Sequence, residues 1–178
     1  MTLAGLIFVG VFSLLNLLLV LLVARRLRQV AAAMPPSRPR PWLAPGTRVP
    51  DFETPTIDGE TIALSQLRGK PSIVAFFSVG CEPCREQVPL FAMFVSGEQA
   101  PDSAVAVIVG GPDSYGFTKQ LAGKAVLVNE SQGGPLGQAF HATAFPALYL
   151  LDEEGVVTAS GPGMGAILNG NNLTPVPR

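Results

Sequence analysis

Histidine and tryptophan occur once each and cysteine only twice in 178 residues, and each scarcity removes a class of chemistry. A structural zinc centre takes about four ligands, commonly from two cysteine pairs or from cysteines joined by histidines. Here there is one CxxC, one histidine and no second pair, which leaves zinc unsupported. Lysine and arginine number 12 against 13 acidic residues, for a formal net charge of −1. No basic patch interleaved with aromatics runs through the globular part, so nucleic-acid binding has no support. Charge is missing altogether between Leu3 and Val23.

The two cysteines, Cys81 and Cys84, stand where an apolar run, Pro71 to Val79, ends in Gly80 and a helical pattern begins. With the intervening residues in the first helical turn, the first sulfur projects at the helix N-terminus and the second lies within bonding reach. That geometry makes a reversible disulfide. Unpaired N–H groups and the helix dipole place partial positive charge beside Cys81 and favour thiolate over thiol. Cys81 is therefore the expected nucleophile, and Cys84, farther along the helix and closer to the core, the residue that resolves a mixed disulfide. Glu82 opposes the thiolate electrostatically, whereas Pro83 suits an early helical position because it has no N–H to leave unpaired. The rival reading is a permanently closed structural disulfide, but so short a loop removes little chain entropy and stabilises a fold weakly. Nothing in the chain calls for a bound metal or organic cofactor.

The charge-free segment 3–23, LAGLIFVGVFSLLNLLLVLLV, is long enough to cross a bilayer core as a helix and reads as a transmembrane anchor. A cleaved signal peptide is the rival. It would need a basic residue before Leu3, and a small-residue site directly after the apolar core, whereas Ala31, Ala32 and Ala33 lie beyond Arg25, Arg26 and Arg28. Asn16 is the one strongly polar side chain in the span, open to pairing with a partner helix. The three arginines place the remainder of the chain in the cytoplasm by the positive-inside rule. A tethered CxxC is most useful on the outer face, where disulfides persist, so the two inferences conflict. Residues 24–46, rich in proline, read as an extended linker. Trp42 within it fits equally a place at the lipid headgroups and a place as the first ordered residue of the domain.

A globular pattern occupies 47–165. Asp58-Gly59 turns a short hairpin, Leu64, Leu67 and Gly69 mark a helical turn, and Pro71 to Val79 is apolar enough to be a strand buried on both faces. Val88, Phe91 and Val95 give the following helix its buried stripe, with a kink expected at Pro89. Ala104 to Gly110 is a second buried strand, parallel to the first through a right-handed crossover. A short helix over 112–121, capped by Asp113 or Ser114, a brief strand over 125–128 and a helix over 133–142 with Pro135 near its start come next. A hairpin then turns at Gly155, and residues 166–178 read as a flexible tail, with at most one helical turn at 166–168.

A buried strand, CxxC at a helix start, a proline five residues after the second cysteine and a later Phe145-Pro146 opening a strand together resemble the thioredoxin superfamily across about 49–161. The N-terminal hairpin, CEPCREQVP and FHATAFPALYLLDEEG are similar, more narrowly, to the bacterial membrane-anchored TlpA-like and ResA-like thiol-disulfide oxidoreductases, and the single anchor is laid out like that of the methylamine dehydrogenase accessory protein MauD. The resemblance implies an α/β fold with a mixed central sheet flanked by helices, an N-terminal hairpin and a single N-terminal transmembrane helix. It implies a cis bond before Pro146, and that the backbone of Ala144 or Phe145 pairs with a substrate strand beside the cysteines. Three positions depart from the family pattern: Gly80 stands where tryptophan is frequent, Ala75 where thioredoxins carry a buried acid that assists proton transfer, and Gln87 where TlpA-like proteins often have glutamate. Glu86 is one position off and, on a helix, points about 100° away from that place. His141, at a family glycine, is read as an exposed helix-end residue rather than a catalytic one.

The resemblance implies a membrane-tethered thiol-disulfide oxidoreductase whose partners are disulfide-containing proteins and an electron donor that the chain does not identify. Its domain would be extracytoplasmic, against the arginine bias. Two other functions stay open. A thiol peroxidase would use a Pro-x-x-x-Thr-x-x-Cys frame, for which Ser78 supplies the hydroxyl while Val74 replaces the proline. A tethered assembly factor or chaperone would use the disulfide only to set its conformation.

Overall fold

The computed structural model describes residues 8, 12–22, 25, 41–113 and 115–170, and the chain divides into two units, Met1–Pro39 and Arg40–Arg178. In the first, residues 12–22 are helical and their large apolar side chains are exposed. The Asn16 side chain donates to the carbonyl of Phe12 at 3.1 Å, so its amide has a partner within its own helix. Among the described residues no helix is long and apolar enough to cross a membrane. The expected span 3–23 lies partly outside them.

The second unit is built on one five-stranded sheet of order β5-β4-β3-β6-β7 and a separate two-stranded hairpin. The hairpin is β1 (Glu53–Pro55) against β2 (Thr61–Ala63), antiparallel, followed by a one-turn helix α1 (Leu64–Leu67). The central strand is β3 (Ser72–Ser78). Helix α2 (Glu82–Phe94) leads from it to β4 (Ser103–Val109), which pairs with it in parallel from Ser72↔Ser103 to Ser78↔Val109. Then come α3 (Phe117–Leu121), β5 (Val126–Glu130), α4 (Pro135–Ala139), the antiparallel strands β6 (Ala147–Leu151) and β7 (Val157–Gly161), and α5 (Met164–Gly170).

Alternation along β3 explains why a continuous apolar run was needed. Val74 and Phe76 face one cluster, with α1, α4 and the hairpin, while Ile73, Ala75 and Phe77 face the other, with α2, α3 and α5. On the first face Phe76, Phe140 and Tyr149 stack with ring centroids 4.9–5.8 Å apart. The Tyr149 hydroxyl donates to the carbonyl of Phe140 at 2.9 Å, and burial pushes its phenol well above the ordinary tyrosine range.

Both ends of the domain and one helix within it differ from those read in the sequence. Residues 41–46 are part of the fold rather than linker: Leu43 is buried, Trp42 packs on the same cluster, the Leu43 carbonyl accepts from Ser160 Oγ at 2.7 Å and Gly46 N–H donates to Val157 at 2.7 Å. Trp42 is thus an ordered residue of the domain. At the other end, α5 extends to Gly170 with Met164 and Ile167 buried, past the start of the expected tail. Residues 171–178 lie outside the described residues. The helix expected over 112–121 is shortened to Phe117–Leu121. Pro89 is carried inside the 13-residue α2, which continues through it.

Candidate active site

β3 delivers Cys81 from the middle of the sheet. Val79 N–H still pairs with the Val109 carbonyl at 3.0 Å, and Cys81 N–H donates to Ser78 at 3.2 Å in the turn that starts α2. Gly110, at the end of β4, has φ +116°, and a Cβ there would sit 2.6 Å from Val79 Cγ2. Only glycine lets the neighbouring strand end approach this turn so closely.

Cys81 is the N-cap of α2, with φ −88° and ψ 106°, and Pro83 lies in the first turn. Its Sγ accepts the backbone N–H of Cys84 at 3.2 Å. The sulfur therefore takes the place that an oxygen fills at most helix starts. Cys81 and Cys84 are joined as a disulfide across 5.3 Å between Cα atoms. Their surroundings differ: Cys81 is half-buried, whereas Cys84 is fully enclosed in the cluster of Phe77, Val88, Phe91 and Met164. One sulfur is open in part to solvent while the other is closed in apolar surroundings.

The Phe145–Pro146 bond is cis. Ala147 lies opposite Phe76 in the β3–β6 register, so Pro146, one residue further, stands beside the end of β3 from which Cys81 is launched. Pro146 is buried, Ala144 and Phe145 are half-buried, and Phe145 packs against the cluster that holds both cysteines. The expected loop and the cysteines thus meet at one end of the sheet.

Residues marked by departures from the pattern have other duties. Ala75 is wholly buried below α2. Gln87 Oε1 accepts the N–H of Met164 at 2.9 Å, clasping the start of α5 to α2. Glu86 is exposed. Ser78 Oγ lies 3.4 Å from the Val79 carbonyl and has no bond to a cysteine. His141 is exposed with φ +51°, and it ends α4 in a Schellman arrangement: Ala142 N–H donates to Gly137 at 2.9 Å and His141 N–H to Gln138 at 3.2 Å. It occupies a glycine-type position.

Two groups, the Arg85–Tyr115 stack and Glu130, escaped the sequence reading, whereas Asp113 is the helix cap that the sequence offered. Arg85 Nη1 donates to both carboxylate oxygens of Glu82, at 3.0 and 2.9 Å, and its guanidinium lies 5.1 Å from the Tyr115 ring centroid. The Glu82–Arg85 spacing of three was a readable signal; Tyr115, from another element, was not. Asp113 accepts from the N–H groups of Phe117 and Thr118 at 2.9 and 2.7 Å. Partial burial pushes its carboxyl up, but the bonds from Thr118, Phe117 and Gly116 outweigh that and leave it below the ordinary range. Glu130, buried at the end of β5, accepts from Leu136 and Gly137 N–H at 2.8 and 3.1 Å and so caps α4. Among the described residues no cluster of three or more His, Cys, Asp or Glu side chains is arranged to hold a metal ion.

Residues 45–160 match the model of the AhpC/TSA family. Among curated proteins, the chain is 27% identical over 120 residues to the thioredoxin-like protein YneN of Bacillus subtilis, covering 63% of this chain and 68% of that one. It is 25% identical over 120 residues to sporulation thiol-disulfide oxidoreductase A of the same organism (62% and 71%) and 27% identical over 118 residues to its thiol-disulfide oxidoreductase ResA (65% and 65%). Among solved structures, the thioredoxin domain of a thiol-disulfide oxidoreductase from Bacteroides vulgatus superposes with a TM-score of 0.56 at 20% identity, covering 73% of this chain and 96% of that one. StoA from Bacillus subtilis gives 0.52 at 23% identity, covering 71% and 98%.

Proposed function

The chain belongs to the AhpC/TSA family, in its thioredoxin-like, ResA-like part, and is a thiol-disulfide oxidoreductase; from that premise we propose that it reduces or exchanges disulfides in protein partners, attacking through Cys81 and resolving through Cys84. The observation that carries the assignment of roles is the asymmetry of the pair. Cys81 is half-buried at a helix N-terminus with its sulfur accepting an N–H, and Cys84 is sealed in the core.

In the reducing direction the Cys81 thiolate attacks one sulfur of the partner disulfide. The partner S–S bond breaks, a Cys81–partner disulfide forms and the leaving thiolate takes a proton from water. Cys84 then gives up its proton and attacks Cys81 Sγ, closing the Cys81–Cys84 disulfide and releasing the second partner thiolate, so two electrons pass to the partner. A separate dithiol donor returns the pair to the reduced form. The backbone of Ala144 and Phe145, in the bend beside Pro146, is the proposed seat for the partner strand. With Ala75 apolar and the Gln87 carbonyl engaged by Met164, proton exchange at Cys84 is assigned to water or to the partner.

The membrane anchor is proposed at 3–23, with 24–40 as the linker. The domain is placed on the outer face, where a CxxC disulfide persists. A thiol peroxidase is the second reading, favoured by the family that the chain matches. Against it stand Val74 in place of the proline and a Ser78 hydroxyl directed to Val79. The test is turnover by the full chain with a protein disulfide and with hydrogen peroxide, each with dithiothreitol as donor. Disulfide reduction that disappears in Cys81→Ser supports the oxidoreductase; faster peroxide consumption moves the peroxidase ahead.

A further inference from the structure

We propose that Arg85, stacked on Tyr115, is a positioning residue that neutralises Glu82 beside Cys81 and so keeps the attacking sulfur reactive at neutral pH. The proposal rests on Cys81 being the nucleophile. Glu82 is the first residue of α2 and comes directly after Cys81, so its carboxylate acts against the partial positive charge that the helix start offers the sulfur. One Arg85 nitrogen lies within 3.0 Å of both Glu82 oxygens.

An exposed pair spaced i,i+3 is by itself a weak and mobile contact. What holds this one is the ring beneath it. Arg85 Cζ is 5.1 Å from the Tyr115 centroid, Tyr115 is tilted against Phe117 at 5.6 Å, and buried Phe117 meets Phe77 of the central strand at 6.2 Å. The segment carrying the ring is fixed by Asp113, whose carboxylate accepts from Phe117 and Thr118. The guanidinium is therefore seated by a stack reaching from the core, and Tyr115 belongs to the same cluster as Cys81. The other ionisable groups on the elements about this turn are Glu86 on α2 and Asp113, Tyr115 and Lys119 on the segment entering and forming α3; α5 and residues 144–146 carry none. Glu82 and Arg85 are thus the charges that the helix start itself supplies.

The test is alkylation of the reduced full-length protein by iodoacetamide, a neutral probe, with the labelled cysteine identified by peptide mass. Wild type should label at Cys81. Arg85→Gln should slow that labelling about threefold at pH 7 and low salt, the scale of one partly screened unit charge, and move the rate–pH midpoint upward. Raising the salt should shrink the difference. Tyr115→Leu should fall between the two, and Arg85→Lys should retain most of the rate. Glu82→Gln combined with Arg85→Gln should return the rate to near wild type, which a purely structural role of Arg85 would not do. Equal rates in wild type and Arg85→Gln, or a deficit that survives in the double variant, would overturn the role of Arg85 while leaving Cys81 as nucleophile. Preferential labelling of Cys84 in wild type would instead remove the premise, and both readings with it.

Discussion

The starts of α2 and α4 solve the same problem with different atoms. At α4 the free N–H groups of Leu136 and Gly137 are met by Glu130, a buried carboxylate that serves nothing but the cap. Gly134 gives it room, since a Cβ there would lie 2.7 Å from Glu130 Oε2. At α2 the N–H of Cys84 is met by Cys81 Sγ, half-buried, in a turn that also carries Glu82 and Arg85. A side-chain carboxyl fixed in the core turns the helix start into stability. In the proposed mechanism, the sulfur at α2 turns the same field into reactivity.

Removing the carboxylate should give the largest effect on stability. Glu130→Leu leaves two buried N–H groups without acceptors and should lower the unfolding free energy by about 2–4 kcal/mol in urea titration. Glu130→Gln, which keeps an acceptor, should lose less than half of that. Equal losses for the two would break the contrast, because the cap would then not be what Glu130 contributes. A smaller effect is expected at α3, where Asp113 caps from the surface. Its folded-state pKa lies below the ordinary 3.8, so its contribution is fully present above that value and is lost as pH falls through the lowered one. Asp113→Asn should flatten the acid limb of the stability–pH curve below the ordinary carboxylate value and cost less than about 1 kcal/mol at neutral pH. An unchanged acid limb would remove Asp113 as its source. The smallest effect, with the opposite sign, belongs to the other end of α4. His141→Gly relieves a left-handed residue and should raise stability by about 0.5–1 kcal/mol, read as a small rise in melting temperature; a fall would mean that the imidazole makes a contact beyond the turn.

The cysteine pair and the cis-proline loop beside it were legible because their signals are local. A continuous apolar run, CxxC, an early proline and Phe145-Pro146 each sit within a few residues of what they specify, and the β3–α2–β4 crossover results from their order. What stayed hidden depends on distant partners. Residues 41–46 look like linker until Leu43 meets Ser160 and Gly46 meets Val157, more than a hundred positions on. α5 looks like tail because its buried side chains, Met164 and Ile167, stand among glycines and an asparagine, and its start is fixed by Gln87 from α2. Glu130 carries no motif, since its acceptors' value appears only once β5 and α4 are packed. The Arg85–Tyr115 stack joins two elements that the pattern does not connect.

The central claim is the division of labour between the two sulfurs, and trapping tests it most directly. The full-length Cys84→Ser protein, expressed in its host, quenched in acid and alkylated, should carry partner proteins on Cys81 as mixed disulfides that are absent from the Cys81→Ser and double-serine proteins. Accumulation of mixed disulfides in Cys81→Ser but not in Cys84→Ser would contradict the account, as would no adducts above the double-serine control.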